Sequence, residues 1–440
     1  MKISKFFGIA LMIILILSKG MISVFCLPVH NTQTRYLQSL DSLKNVLKTF
    51  PPSGGTEGGA DTTKIKLLNN LAWQLRTSNP DTAITLSTQA LAMAKKINYK
   101  TGIGLSFHQL GEFNWRKGSY DTAFTFYNHA LDIWKHLEKS GISKLVPSEE
   151  RNLIRKRFSA TLGNIGNVYW SQGDYANALD HHLQALEISK ELGDKRDVAI
   201  KLGNIGGVYY SLRDYANALD HYLQALEIDK ELGNKNHISA LLANIGVLYK
   251  NQGDYANALD HYLRALEIEN EVGDKRGIAI RLCNIGNVYA ALGDLEKNPH
   301  REDSLYTLSM EHYQESIQIA EKIGYKIMMA TSRTSIASLF IKQHKPLHAL
   351  SLADTAIALL TEMHELYHLK DAHRFRSLAD SVLANYQSAC RHFLLHMQYK
   401  DTVQGKEMQE EVGRTAKMWE IRAVEQEREA KEAEEIGRAS

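Results

Sequence analysis

The chain has 440 residues, of which 44% are hydrophobic and 23% charged, which is ordinary for a globular protein with a sizeable core. Its 52 basic side chains nearly balance 50 acidic ones, so the composition provides no excess of positive charge for a nucleic-acid backbone. We therefore expect no nucleic-acid partner.

The first 26 residues have the features of a targeting segment. Lys2 and Lys5 precede a twelve-residue apolar run, Phe6 to Leu17, which is too short to span a bilayer comfortably. We predict a signal peptide over residues 1–26, cleaved near Cys26, and export to a periplasmic or other extracytoplasmic compartment. An uncleaved leader acting as a membrane anchor is one alternative, and lipidation of Cys26 is another, although bulky Phe25 fits that reading poorly.

Residues 27–61 form a short connecting region. The stretch "DSLKNVLKTF" (residues 41–50) predicts a helix, and "PPSGGTEGGAD" (residues 51–61) is a glycine- and proline-rich linker. Only two cysteines follow the leader, Cys283 and Cys390, and they lie too far apart in sequence to suggest a disulfide framework. We interpret both as small buried hydrophobic residues.

The central region repeats one pattern at intervals of forty residues. "GDYANALDHHLQALEI" begins at Gly173, and near-identical copies begin at Arg213 and Gly253. Before each copy, apolar and small residues recur at helical spacing, as in Leu162, Ile165 and Tyr169, and a second amphipathic helix follows the turn. Each unit is therefore predicted to be a helical hairpin, with its turn at Gly173, Arg213, Gly253 or Gly293.

A single hairpin of this kind cannot bury both of its apolar faces, so copies must stack into a solenoid. Weaker copies extend the array to about eight hairpins over residues 62–400. Two insertions, residues 140–150 and 296–306, carry proline and charges and are predicted to be surface loops.

The repeats resemble the tetratricopeptide repeat (TPR) family in a forty-residue form. The residues that carry the resemblance are Ile165, Gly166 and Tyr169 in the first helix and, in a later copy, the turn and ladder of Gly253, Tyr255, Ala258, Tyr262 and Ala265. One departure is the missing proline after the second helix, where Lys190 and Lys230 stand. The resemblance implies an all-α, right-handed superhelix of hairpins whose first helices line a concave surface.

On that concave surface one position is nearly always an amide. A carboxamide both donates and accepts hydrogen bonds, so a row of amides suits the backbone of an extended peptide. The alternative is that these amides stabilise the hairpin stack. Gln109 and Ser335 occupy the position in two intervening units. The candidate ligand-binding residues are Asn70, Trp115, Asn164, Asn167, Trp170, Asn204, Tyr210, Asn244, Lys250, Asn284 and Asn287. The predicted partner is a peptide or a protein segment.

Histidines also recur in register, at His181, His221, His261 and His312. They lie on the second helices of successive hairpins, which pack too far apart for one zinc ion to be shared. No phosphate-binding loop or nucleophile motif occurs in a strand–turn–helix setting. We therefore predict no metal, no cofactor and no catalytic residue.

The last forty residues, 401–440, differ in composition from the array. They are rich in Glu, Lys, Arg and Ala, and predict a charged helix. A 4-3 pattern at Val412, Ala416, Trp419 and Ala423 predicts a weak coiled coil that pairs two chains, whereas the alternative is a solvated extension of the last hairpin.

The order of leader, repeats and charged helix resembles the extracytoplasmic sensor region of bacterial TPR-containing histidine kinases and nucleotide cyclases. Two hypotheses of function follow. The first is an exported scaffold or adaptor that binds a peptide or protein in its concave groove, and the second is the sensor portion of a split or truncated signalling enzyme.

Overall fold

A computed structural model describes residues 58–140, 148–363 and 365–401, and this part of the chain contains only helices and their connections. Fifteen of its helices are α1 (Gly58–Leu75), α2 (Pro80–Lys96), α3 (Lys100–Arg116), α4 (Tyr120–Lys139), α5 (Ser148–Ser171), α6 (Tyr175–Glu191), α7 (Lys195–Ser211), α8 (Tyr215–Leu232), α9 (Lys235–Asn251), α10 (Tyr255–Val272), α11 (Lys275–Leu295), α12 (Pro299–Lys322), α13 (Lys326–Lys342), α14 (Pro346–Glu362) and α15 (Leu366–Val382). The sixteenth, α16, covers residues 386–401.

The helices follow one another as eight helix–turn–helix pairs, which we number hairpin 1 (α1 and α2) to hairpin 8 (α15 and α16). The predicted all-α solenoid is confirmed. The leader, the connecting helix, most of the linker, residues 141–147 of the first insertion and the tail after residue 401 lie outside the described residues. In the described part, no helix is long and apolar enough to cross a membrane.

Two compact units make up the chain. The first ends at Phe113, and its core is formed by α1, α2 and the first part of α3, with Leu71, Leu75, Ala83 and Phe113 buried together. The second begins at Asn114 and contains hairpins 3–8.

Close helix packing in hairpins 3–6 depends on one glycine in each first helix. An aromatic ring from the second helix lies directly against that glycine, in the pairs His182 on Gly166, Tyr222 on Gly206, Tyr262 on Gly246 and Tyr313 on Gly286. A Cβ atom at Gly246 would lie 2.6 Å from the Tyr262 ring, and Tyr262 is fully buried. The glycines are therefore required because the rings occupy the space of a side chain.

The turns within hairpins 3, 4 and 5 are built from a left-handed residue followed by an aspartate. Gly173, Arg213 and Gly253 all have positive φ, between 60° and 79°. The next residue, such as Asp174, caps the second helix by accepting a hydrogen bond from the backbone N–H of Asn177 at 3.2 Å. Such a cap is worth about 1 kcal/mol, so the left-handed residue and its aspartate fix where the second helices of hairpins 3, 4 and 5 begin.

The expected turn at Gly293 was wrong. Gly293 lies inside α11, buried beneath the ring of Tyr306, where a Cβ atom would come within 2.6 Å of that ring. The second insertion is not a surface loop, because Pro299 starts α12 and both helices of hairpin 6 are lengthened. The interpretation of the cysteines was half right, since Cys283 is buried but Cys390 is exposed.

Candidate functional site

The first helices of hairpins 3–8 form a continuous surface in the second unit, which we call the groove. Two hydrogen bonds join neighbouring first helices along it. The indole N–H of Trp170 donates to the Ser211 hydroxyl at 2.8 Å, and the Asn251 amide donates to the Tyr210 hydroxyl at 2.7 Å. The last turns of α5, α7 and α9 are thus joined in succession.

Aromatic residues lie along the edge of the groove that is formed by the last turns of the first helices, beside these hydrogen bonds. Trp170 is 47% exposed, and Tyr210 is half-buried with its ring centroid 6.0 Å from that of Tyr215. A cavity of about 330 Å³ opens here, and its lining residues are Tyr175, Tyr210, Ser211, Arg213, Tyr215 and Asn251. Two of the predicted anchors, Trp170 and Tyr210, are therefore accessible to a ligand.

The predicted row of amides lies along the same first helices. Asn164, Asn204 and Asn284 are half-buried, and Asn244 is exposed. Within the described residues, the side chains of Asn204, Asn244 and Asn284 make no hydrogen bond to the protein. An amide that holds a hairpin together would be bonded to it, so these three retain their hydrogen-bonding capacity for a ligand.

Other predicted residues have different surroundings. Asn167 is half-buried in hairpin 3. The Oδ1 atom of Asn287 accepts a hydrogen bond from the Tyr313 hydroxyl at 2.8 Å, which leaves its N–H group for other partners. Trp115 is half-buried, and its indole N–H has no hydrogen-bond partner among the described residues.

In the first unit, Asn70 is exposed on α1. Gln109, which occupies the amide position of hairpin 2, is buried, and its side chain bonds to Ser87 at 3.1 Å and to the backbone oxygen of Asn69 at 3.1 Å. Gln109 therefore stabilises the packing of α3 against hairpin 1, which is the alternative interpretation of the amide row.

The groove contains a second cavity, of about 350 Å³, among the first helices α11, α13 and α15. Hydroxyl groups at helical spacing line one wall of it, from Thr331, Thr334, Ser335 and Ser338 of α13. The remaining lining residues are Asn287, Ala290, Tyr313, Leu339, Lys342, His368, Asp371, Arg374 and Phe375. Of the residues predicted from the sequence, this cavity includes Asn287, and it also includes Ser335 of the amide row.

Charges in the groove are few and of both signs. Lys342 forms an ion pair with Asp294, whereas no described acidic side chain lies within ion-pair distance of Lys250 or Arg374. Burial lowers the pKa of the Lys250 ammonium from its ordinary value, because desolvation disfavours the charged form. These cations provide isolated points of attraction for a carboxylate and do not form a basic patch.

The histidines that recur in register on the second helices have a packing role. The rings of His181, His221 and His261 lie 5.2 to 5.3 Å from the rings of Tyr169, Tyr209 and Tyr249, and their Nδ1 atoms lie 2.8 Å from backbone oxygens one helical turn earlier. No group of three His, Cys, Asp or Glu residues suited to a metal ion occurs in the described segments.

Several groove residues were missed in the sequence. Ser211 and Asn251 each lie one position after a predicted aromatic or basic residue, so the repeat register could have identified them. The cavity residues of α13 and α15 gave a weaker signal, because hairpins 7 and 8 have diverged from the copied pattern.

Comparison with known proteins agrees with this geometry. The tetratricopeptide repeat family model matches residues 157–231 and 236–297. A signal transduction ATPase with a tetratricopeptide repeat sensor, from Pyrococcus horikoshii, has a similar structure, with a TM-score of 0.57, 13% identity, and coverage of 85% of this chain and 53% of that one.

Two further solved structures cover most of both chains. The apo form of the quorum sensor NprR from B. thuringiensis has a TM-score of 0.56 and 15% identity, over 84% of this chain and 95% of that one. A Rap protein complexed with Competence and Sporulation Factor has a TM-score of 0.51 and 16% identity, over 85% and 99%. At such identities the likeness shows the fold. Residues 157–231 and 236–297 therefore contain tetratricopeptide repeats, and the stacked hairpins continue the same fold outside them.

Proposed function

We propose that this protein is a scaffold that binds an extended peptide, or an extended segment of a protein partner, along the groove of hairpins 3–8. The observation that carries the proposal is the row of Asn204, Asn244 and Asn284, whose amides lie on the groove surface without hydrogen bonds to the described protein. An extended backbone presents N–H and C=O groups that such amides can pair with.

The surroundings of the amides support the same ligand. The aromatic residues Trp170 and Tyr210 provide apolar contact area with a polar tip, as anchor residues of binding sites commonly do. The second cavity, in hairpins 6 to 8, offers hydroxyl groups and the guanidinium of Arg374, which has no acidic partner among the described residues. The two cavities, one at Tyr210 and one at Arg374, therefore provide two separate contact sites for an extended peptide.

Structural neighbours lend support of a weaker kind. One is described as a Rap protein in complex with Competence and Sporulation Factor, and another as a quorum sensor. Their fold is similar to that of this chain, and this likeness supports a binding role for the solenoid here.

The experiment begins with selection of peptides from a random library on the immobilised full chain. Affinity is then measured for the wild type, for an Asn204→Ala, Asn244→Ala variant, and for a matched control, Gln184→Ala, Gln224→Ala. Gln184 and Gln224 are exposed amides on second helices, each bonded to the aspartate four residues earlier.

The groove variant loses about two to four hydrogen bonds at about 0.5–1.5 kcal/mol each, which predicts an affinity reduced by roughly one to four orders of magnitude. The control should bind like the wild type. If the groove variant loses stability while its folded fraction binds with unchanged affinity, the amides are structural and the proposal fails.

We further propose that the chain is exported, on the basis of the leader over residues 1–26. Sequencing of the N-terminus of protein recovered from the producing cells tests this. A mature terminus near residue 27 supports cleavage, a retained Met1 in the membrane fraction supports an anchor, and an unprocessed protein in the cytoplasm contradicts export.

The alternative function is the sensor portion of a signalling protein. It is favoured by the neighbour whose tetratricopeptide repeats form the sensor of a signal transduction ATPase, and by the heptad pattern of the tail. Pairing through Val412, Ala416, Trp419 and Ala423 would give a weak homodimer. Sedimentation of the chain from Leu27 to Ser440 should then show concentration-dependent dimers that Trp419→Ala abolishes, and a strictly monomeric chain argues against this function.

A further inference from the structure

One buried position differs at every contact between copied hairpins. It is the residue eleven positions after the first buried small residue of each second helix, such as Ala178 in α6, and we call it the boundary position. Its occupants are Ala94, Trp134, Ser189, Asp229, Glu269, Ala320 and Leu360 in hairpins 1 to 7. All of them are at most 3% exposed.

Most of the surrounding sequence is shared by hairpins 3, 4 and 5. Their second helices all begin with "YANALDH" and share the sequence "ALEI" in the third turn. The boundary position follows one residue after this shared stretch. Polar or charged occupants, namely Ser189, Asp229 and Glu269, occur in these three hairpins, whereas the diverged hairpins 1, 6 and 7 have Ala or Leu there.

At the contact between hairpins 3 and 4, the boundary residue is part of a network around one carboxylate. Ser189 donates to Asp197 of α7, and Ser159 of α5 donates to the same carboxylate at 2.9 Å. Lys201 lies 3.3 Å from Asp197 and is itself almost fully buried. This network therefore places the negative charge on the following hairpin.

At the contact between hairpins 4 and 5, the carboxylate is on the opposite side. Asp229, which is completely buried, pairs with His237 of α9 and accepts a hydrogen bond from the Asn234 amide at 2.9 Å. The negative charge here belongs to the preceding hairpin, and the following hairpin provides the donors.

At the contact between hairpins 5 and 6, the pair is different again. Glu269 lies 3.3 Å from the Nε atom of Arg281. Residue 277 must be glycine, because a Cβ atom at Gly277 would come within 2.8 Å of the Glu269 carboxyl carbon. The three contacts thus use three combinations of residues at equivalent positions.

Incorrect stacking of these hairpins would bring incompatible groups together. If hairpin 4 stacked on another copy of hairpin 4, Asp229 would face Asp197, and if hairpin 5 stacked on hairpin 4, Glu269 would face it. The two carboxylates would then share one cation, Lys201. This is unfavourable, because the buried carboxylate of Asp229 or Glu269 would have lost its hydration without gaining a partner of its own. The apolar parts of the contacts are nearly the same in all three hairpins and provide little discrimination.

We propose that the boundary position and its partners fix the order in which hairpins 3 to 6 stack, and that they oppose both slipped stacking and the exchange of hairpins between two copies of this chain. Exchange and misassembly are the usual failures of proteins built from similar repeats. Buried polar groups that specify register at some cost in stability are known devices in other folds.

The test compares two variants of the full chain. The copied variant gives the contact between hairpins 4 and 5 the residues of the preceding contact, through Ala199→Ser, Asp229→Ser, Asn234→Asp, His237→Asp and Leu241→Lys. The transposed variant has the same five changes and the reverse changes at the preceding contact, namely Ser159→Ala, Ser189→Asp, Asp194→Asn, Asp197→His and Lys201→Leu. Each contact remains unique in the transposed variant, and two contacts become identical in the copied one.

Both variants and the wild type are unfolded in denaturant and refolded at rising protein concentration, and monomer recovery is measured by size-exclusion chromatography. We expect the copied variant to lose monomer several-fold and to form concentration-dependent dimers, whereas the transposed variant recovers like the wild type. Equal monomer recovery in the copied variant and the wild type would overturn the proposal, and so would equal losses in both variants.

A milder pair of variants covers the case in which ten substitutions prevent folding. The first has only Asp229→Ser and His237→Asp, and the second adds Ser189→Asp and Asp197→His. The same difference in monomer recovery is expected between these two, and its absence contradicts the proposed role.

Discussion

Gly206 and Gly207 are adjacent glycines of α7 that should respond in opposite ways to the same substitution. A Cβ atom at Gly206 would lie 2.7 Å from a ring carbon of Tyr222 and 3.1 Å from the backbone oxygen of Ala218. A Cβ atom at Gly207 would meet only the Tyr222 hydroxyl, at an ordinary 3.8 Å.

The two effects can be given magnitudes. Alanine is favoured over glycine within a helix by about 0.8–1.0 kcal/mol, so Gly207→Ala should stabilise the protein by roughly that amount. Overpacking costs about 1–3 kcal/mol, and Tyr222 is buried and cannot move freely, so Gly206→Ala should be destabilising by up to about 2 kcal/mol after the helix gain is subtracted.

Denaturant unfolding followed by circular dichroism measures both variants against the wild type. The midpoint should rise for Gly207→Ala and fall for Gly206→Ala. Shifts of the same sign and similar size would show that the ring of Tyr222 does not limit the approach of the two helices.

Three further predictions concern stability. Ala225→Leu places a branched side chain in a fully buried helix crossing and should be destabilising by about 1–3 kcal/mol, so an unchanged thermal midpoint would contradict the packing of α8. Arg213→Gly relieves the positive φ of 60° at an exposed turn and should be stabilising by about 0.5–1 kcal/mol in denaturant unfolding, whereas a loss would mean that Arg213 makes a stabilising contact. Burial, only partly offset by Arg281, raises the pKa of Glu269 to about 7, so folded Glu269 holds its proton more tightly than unfolded Glu269. Its stabilising contribution is therefore lost as the pH rises from about 4.5 through 7, and the wild type should lose stability relative to Glu269→Gln between pH 5 and pH 8; a constant difference would refute this.

The copied hairpins were predictable because their apolar and small residues recur at helical spacing, and these residues are the ones that contact each other. Gly293 shows the limit of this reasoning. It has the glycine and aspartate of the turn, but Leu295 replaces the tyrosine, and the ring of Tyr306 from the insertion covers the glycine and allows the helix to continue. Identical dipeptides therefore adopted different structures according to a contact outside the repeat.

The candidate site was predicted in part for a related reason. The amide row followed from the register, and three of its members lie on the groove with unbonded side chains. Whether Gln109 would be buried or accessible depended on Ser87, which lies on a different helix. The contacts of the polar boundary residues could not be predicted from the sequence, because their partners belong to the next hairpin and only the stacking of the hairpins brings them together.

Site-specific cross-linking tests the central claim, that the groove is the binding surface, most directly. A photoreactive phenylalanine analogue replaces Tyr210 in the groove or, as the control, Leu223, which is 46% exposed on α8. After irradiation with a peptide selected on the wild-type chain, the account predicts a cross-linked product from position 210 and none from position 223. Cross-linking from position 223 alone, or equally from both positions, would contradict it.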